Sequence, residues 1–271
     1  MNFLFWNIRG NNQIQNEIKQ LCEEREVDIL ILAESNFAPA TLLNALNKEK
    51  NDFFYAFGNE GICDKIQIFV RASVSIRPIQ DAKRITARII NSKIHGEINL
   101  IALHYQSKVN WSNQDQSAHA FELKRFIDLV EENTKNLKTI VCGDFNMNPF
   151  DDGMIQTSGL HSVMEKRIAL KQQRTVDDEE YLFFYNPMWG FLGDLGLGNV
   201  SGTMYFSPSK PINYHWNLFD QVLIKPALIP YFEEKKLEII TEIQSVSLLT
   251  KQFFVNKNYS DHLPIFFNFN I

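Results

Sequence analysis

Six short stretches of this chain place carboxylate, amide or imidazole groups at the ends of apolar, β-prone runs. The richest is Gly143-Asp144-Phe145-Asn146-Met147-Asn148-Pro149, which follows Thr139-Ile140-Val141-Cys142. A buried strand ending this way presents a carboxylate and two amides at one sheet edge. The others are Phe5-Trp6-Asn7-Ile8-Arg9-Gly10, Ile31-Leu32-Ala33-Glu34-Ser35, Leu103-His104-Tyr105, Phe219-Asp220-Gln221-Val222-Leu223-Ile224 and Ser260-Asp261-His262-Leu263-Pro264-Ile265. Oxygen donors of this kind suit hard divalent cations. Asp and His are also the side chains that most often move protons in catalysis. Six such strand ends read as one active site assembled from both halves of a sandwich.

In this order the motifs resemble those of the endonuclease/exonuclease/phosphatase superfamily. Its members include deoxyribonuclease I, exonuclease III-type AP endonucleases and neutral sphingomyelinases. The resemblance runs from Asn7 to His262, nearly the whole chain. The GDFN-x-N and SDH motifs are fairly specific together. The WN dipeptide, the acidic residue after the second strand, LHY and FDQ strengthen them. The resemblance implies a four-layer α/β/β/α sandwich and a phosphoesterase that uses Mg²⁺ or Mn²⁺.

It also implies roles for individual residues. Glu34 is the expected first metal ligand, with Asn7 binding the ion or orienting its water and Asp261 completing the shell. Asp144 is expected to position or deprotonate the attacking water, and Asn146 to hold Asp144 and donate to a developing oxyanion. Asp220 would hold the His262 imidazole in a donor tautomer or stabilise its cation. His104 is expected at the phosphate, with Tyr105 facing the core. Arg9, Asn148 and Trp216 are candidate substrate contacts, although Asn148 would serve equally well as a cap for the Pro149 turn. Lys108, after Leu103-His104-Tyr105-Gln106-Ser107, reads as a solvated cation near the site. Two departures from the AP-endonuclease pattern stand out: Glu34 is followed by Ser35-Asn36, and Gly202 precedes Thr203-Met204-Tyr205 where an aromatic is usual.

The elements that must position these groups are legible only coarsely. Ile14, Ile18, Leu21 and Cys22 follow helical spacing. Val27–Leu32, Lys65–Val70, Ile85–Ile90 and Glu97–His104 read as strands. The segment Asn113–Asn133 reads as an amphipathic helix with Phe121, Leu123, Phe126, Ile127 and Leu129 as core contacts. Met164–Arg174 reads as a basic helix carrying Lys166, Arg167, Lys171 and Arg174, and the acidic run Asp177–Glu180 follows it. If that helix lined a nucleic acid groove, its cations would meet phosphates leading away from Asp144. The pattern alone reaches "mixed α/β" in a single domain over residues 1–271.

The 45% hydrophobic fraction and 22 Phe among 271 residues supply a large core. A net charge of −5 argues against a nonspecific nucleic acid coat protein but not against an enzyme whose site gathers a cation. Three Cys without zinc-like spacing read as reduced thiols. No leader is evident and no apolar run reaches the roughly 18 residues of a membrane span, so a cytoplasmic protein without a membrane partner is expected. The expected partner is nucleic acid, as substrate of a nuclease acting on DNA or RNA. An inositol-type, lipid or other small-molecule phosphatase is the alternative. A catalytically silent binding module is disfavoured because every expected catalytic residue is present.

Overall fold

The computed structural model describes residues 1–58, 62–107 and 111–271. Lys108 lies outside the described residues. The first part of the chain forms β1 (Asn2–Asn7), α1 (Gln15–Glu24), β2 (Ile29–Ala33), α2 (Pro39–Leu46), β3 (Phe53–Tyr55) and β4 (Ile66–Arg71). Three long strands follow, β5 (Ser75–Ala82), β6 (Ile85–Ser92) and β7 (Gly96–His104), then α3 (Asn113–Thr134) and β8 (Thr139–Asp144). Shorter elements come next: α4 (Asp152–Ile155), β9 (Ser162–Val163), α5 (Lys166–Ala169), β10 (Gln173–Val176), β11 (Glu179–Leu182) and β12 (Phe184–Tyr185). The chain then adds β13 (Met204–Tyr205), β14 (Trp216–Asn217), β15 (Asp220–Ile224), β16 (Glu238–Ile239), β17 (Glu242–Ile243), β18 (Val246–Ser247) and β19 (Ile265–Asn268).

Two mixed sheets carry the fold, in the orders β16-β19-β1-β2-β4-β3 and β5-β6-β7-β8-β15-β12-β9. They pack face to face, β1 against β8 and β15, and β7 against β2 and β4. The central strands are buried on both faces and so read as unbroken apolar runs. Side chains still alternate between faces. Leu100, Ala102, Ile140, Cys142, Val222 and Ile224 face the core between the sheets. Ile101, Leu103, Val141 and Leu223 face outward, where α3 covers them with Ala120, Leu123, Phe126, Ile127 and Val130. Helix α1 buries Ile18, Leu21 and Cys22 and α2 buries Leu42 and Leu46 against the first sheet, which completes the α/β/β/α layers.

Helix α3 begins at a capping box in which Ser112 Oγ accepts from the Asp115 backbone while Asp115 accepts from the Ser112 backbone. It ends at Lys135, in the left-handed region with φ of 51°. Phe121 and Leu129, expected in the core, are each 46% exposed. They fall off the stripe 116, 120, 123, 127, 130, whose three- and four-residue steps define the buried face.

The basic helix expected over Met164–Arg174 is only the four-residue α5. Gln172, with φ of 72°, breaks it, and Gln173–Val176 enters a hairpin with β11. The acidic run supplies the turn: Asp177 and Asp178 are the two loop residues, with φ of 50° and 65°, as a type I′ turn requires.

Candidate active site

The sheet register gathers the site. His104, Asp144 and Asp220 are direct neighbours on β7, β8 and β15, since His104 pairs with Asp144 and Asp144 with Asp220. Counting by twos along each strand, all three continue the core-facing rows 100–102, 140–142 and 222–224. They therefore face the first sheet at the edge where the apolar core ends. Gly143 makes this possible, because a Cβ there would sit 2.1 Å from the Leu103 carbonyl oxygen, closer than any side chain permits. Across the gap, Asn7 closes β1 and Glu34 follows β2, whose parallel pairing brings the two together.

Asn7 stitches the two sheets. Its Nδ2 donates to Glu34 Oε1 at 3.2 Å and to Asp144 Oδ2 at 3.0 Å, and its Oδ1 accepts from the Arg9 backbone. His104 Nε2 lies 3.0 Å from Glu34 Oε1 and 3.7 Å from Asp144 Oδ2. The bond from His104, with Asn7 and His262 helping, holds Glu34 at a pKa of about 2, so it is an anion throughout the physiological range. Three non-glycine residues here sit in the left-handed region, Arg9 at 48°, Glu34 at 49° and Asn146 at 51°. Such conformations cost energy and cluster at functional sites.

His262 Nδ1 meets Asp220 Oδ2 at 2.7 Å and its Nε2 is 3.9 Å from Asp144 Oδ2. Burial disfavours the imidazolium, yet Asp220 and Asp144 together outweigh burial and raise the pKa to about 10. Burial raises the Asp144 carboxyl above its ordinary range, opposed chiefly by His262. The Ser260-Asp261-His262 segment is fixed to β1 by Ser260 Oγ donating to the Asn7 carbonyl and by Trp6 Nε1 donating to the His262 carbonyl.

The other expected residues fall into two groups. Asn146 holds Asp144 through its backbone N–H at 2.8 Å, while its side-chain Nδ2 donates to the Tyr105 carbonyl. Tyr105 itself is buried against α3. Asn148 is buried and braced within the protein: it accepts from Leu218 N and donates to Asn217 Oδ1. Asp261 is met by the guanidinium of Arg9 at 3.3 Å, and Arg9 is 56% exposed on the rim. Trp216 is half-buried, edge-on to Tyr205.

Among the described residues, one group of three potential ligands converges within 4.8 Å, Asp144 with Asp220 and His262. It is not the set expected from the sequence. A protonated imidazole cannot ligate a metal, and His262 is hydrogen-bonded to Asp220 at 2.7 Å and ion-paired with Asp144 at 3.9 Å, so this trio is better described as an imidazolium set between two carboxylates. Glu34, by contrast, is ionised and partly exposed.

Thr203 is a positioning residue that the Gly202-Thr203-Met204-Tyr205 stretch does not announce. Fully buried, it accepts from Asp220 N through Oγ1 at 3.2 Å, donates from its backbone to the Asn217 carbonyl and accepts from Leu263 N. It thus ties both partners of the Asp220–His262 pair to one residue. Gly202 explains the missing aromatic, since a Cβ there would lie 2.5 Å from the Asn217 carbonyl oxygen. The nearest available signal was the Gly-Thr pair just upstream of the Asp220 strand.

The cations of Met164–Arg174 do not reach the site. Lys225, at the opposite end of β15 from Asp220, bonds the start of β8 and lines a small cavity with Leu170 and Gln172. Five residue steps at about 3.3 Å separate that end of β8 from Asp144. Lys166 pairs with Glu234, Arg167 with Glu165, and Arg174 donates to His161. Neutralising Lys166, Arg167, Lys171 and Arg174 together is accordingly expected to leave KM on DNA or RNA and its salt slope at wild-type values. A flattened salt dependence would restore the groove, because fewer counterions would be released.

A model of the endonuclease/exonuclease/phosphatase family matches residues 4–262. The chain belongs to that family, one of phosphoesterase hydrolases. No curated protein matches it by sequence. Among solved structures it is similar to the catalytic domain of human Nocturnin with bound sulfate, at 14% identity and a TM-score of 0.61, covering 100% of this chain and 94% of that one. A mannosyl-6-phosphatase of Bacteroides thetaiotaomicron shares 14% identity at a TM-score of 0.60, with both chains fully covered. A 3′ phosphatase from Neisseria bound to a product DNA hairpin shares 15% at 0.54, again over both whole chains. At these identities the likeness is one of fold.

Proposed function

We propose that this member of the family is a divalent-metal-dependent hydrolase of phosphodiester bonds in DNA or RNA. The observation that carries this reading is a set of four groups at one strand edge. They are a doubly paired imidazolium (His262), a buried carboxylate 3.9 Å from it (Asp144), an ionised carboxylate (Glu34), and an amide joining the two carboxylates (Asn7).

Glu34 would hold Mg²⁺ or Mn²⁺, with Asn7 ligating it once its amide turns the oxygen toward Glu34, or orienting its water, and Asp261 completing the shell where a cation displaces Arg9. Such an ion neutralises phosphate charge and lowers the pKa of bound water. His262, kept charged by Asp220, donates to a phosphate oxygen and stabilises the negative charge that grows there. Asp144, held by the Asn146 and Asn7 hydrogen bonds, orients the attacking water and takes its proton, for which a raised pKa is suited. His104 steadies Glu34 and faces the same phosphate. Arg9 and Trp216 line the approach. Buried free thiols at Cys22 and Cys142 favour a reducing, cytoplasmic setting. Among the described residues no helix is long and apolar enough to cross a membrane.

A DNA-bound phosphatase and a sugar phosphatase share this fold, and the far placement of the Met164–Arg174 cations favours a second reading, a small-molecule phosphatase. A panel of plasmid, single-stranded DNA, RNA, abasic DNA and sugar and inositol phosphates, each with Mg²⁺ or Mn²⁺, separates the two. Strand cleavage is expected. Phosphate release from the small monoesters with every nucleic acid intact would overturn the nuclease.

The same geometry predicts a pH effect. A histidine pKa raised from about 6.5 to about 10 adds stability that is complete below pH 6.5 and lost as pH rises through 10. Asp220→Asn should lower that pKa, shift the alkaline limb of the kcat profile to lower pH, and destabilise the fold at pH 7 but not above pH 10. Thr203→Val should shift the limb the same way, and Thr203→Ser should restore it. Wild-type profiles in Asp220→Asn and Thr203→Val would remove Asp220 and Thr203 from the site.

A further inference from the structure

Beside the catalytic edge lies a cavity of about 500 Å³, lined by Tyr205, Phe206, Thr250, Phe254, Val255 and Lys257. We propose that it seats a base of the nucleic acid substrate, against the aromatic wall that Phe206 and Phe254 contribute, next to the phosphate held at His262. This rests on the nuclease reading and adds to it the part of the substrate that is recognised.

The cavity is continuous with the catalytic elements. Met204 pairs across to His262, and Tyr205 and Phe206 follow it directly. Lys257 lies three residues before Ser260, whose hydroxyl is bonded to the Asn7 carbonyl. The cavity is therefore built on the two segments that also fix His262.

Its walls are aromatic and partly exposed. Phe254 is 40% exposed and Phe206 50%. Tyr205 backs the pocket as the middle of a ladder, stacked on Phe254 at 4.1 Å and 20° and on His215 at 6.2 Å and 28°. Phe254 is held in place by a tight turn in which Thr250 N donates to the Phe254 carbonyl and Phe254 N to Thr250 Oγ1. The turn places Phe253 at φ of 61°, a strained position for a bulky residue. Phe206 makes no ring contact among the described residues, so its face is available. Aromatic faces accept any base by stacking. The exposed ammonium of Lys257 at the rim supplies the charge that a nucleotide phosphate requires, whereas a purely apolar partner would leave it unanswered.

The test is a fluorescence titration with 2-aminopurine deoxyriboside 5′-monophosphate, whose emission is quenched by stacking. Wild type should quench it. Phe206→Ala and Phe254→Ala should each weaken binding by about fivefold or more, the lower end of what one stacked base contributes. Lys257→Ala should weaken it without abolishing the quench. Deoxyribose 5-phosphate, which lacks the base, should compete at least tenfold more poorly than the nucleotide. Absence of quenching, equal competition by the sugar phosphate, or wild-type affinity in both Phe variants would overturn the assignment. Phe206→Ala removes a half-exposed ring outside the ladder and so leaves the fold intact. Binding needs no turnover: a protein that binds the nucleotide but cuts no oligonucleotide would sink the nuclease reading and keep the base site.

Discussion

Asp144→Asn and His262→Ala are each expected to lower kcat by roughly 10²–10⁴-fold, the range for groups that move or hold a proton in the transition state. Asp144→Asn keeps the shape of the side chain and the hydrogen bond from Asn146 N while removing the charge that takes the proton. His262→Ala removes the cation that faces the phosphate. It also leaves Asp144 and Asp220 side by side on neighbouring strands without the imidazolium that lies between them. A loss of thermal stability should accompany it, since a buried carboxylate without its partner is costly. The double variant should fall well short of the product of the two, because both groups serve one transition state. Steady-state kinetics on an oligonucleotide, with melting curves beside them, reads all of this. Additive losses would mean that the two residues act separately.

Removing divalent ions with EDTA should abolish turnover, and Mg²⁺ or Mn²⁺ should restore it. Glu34→Gln should weaken the binding of Mn²⁺, followed by its paramagnetic resonance, because a neutral amide replaces an ionised oxygen donor. His104 and Asn7 both touch the Glu34 oxygen, so the fold should survive the change while the metal requirement rises. Full activity in a metal-stripped sample would end the metal-dependent account.

What the sequence disclosed follows from strand geometry. Continuous apolar runs marked β2, β7 and β8, and the polar residues that end them fell together because side chains alternate and the register is set by burial. His104, Asp144 and Asp220 share a face for that reason alone. Motif order then brought Asn7, Glu34 and His262 to the same edge. Long-range bonding was hidden. Thr203 gives no local sign that its hydroxyl will meet Asp220 N, nor Asn148 that its amide will bond Asn217 on β14. The basic stretch from Met164 to Arg174 has helical composition, but Gln172 in the left-handed region stops the helix after one turn, Gln173 and Arg174 enter a hairpin, and packing placed the stretch at the far end of the sheet. Phe121 and Leu129 show the same limit on a helix, where a one-residue offset separates core from solvent.

The most direct measurement is cleavage of one labelled single-stranded oligonucleotide under single-turnover conditions, wild type against Asp144→Asn, both at saturating Mg²⁺. Strand breaks are predicted in wild type, with a rate at least a hundredfold lower in Asp144→Asn. Equal rates in the two proteins, or an intact strand from a wild type that still binds Mn²⁺, would contradict phosphodiester hydrolysis at this site.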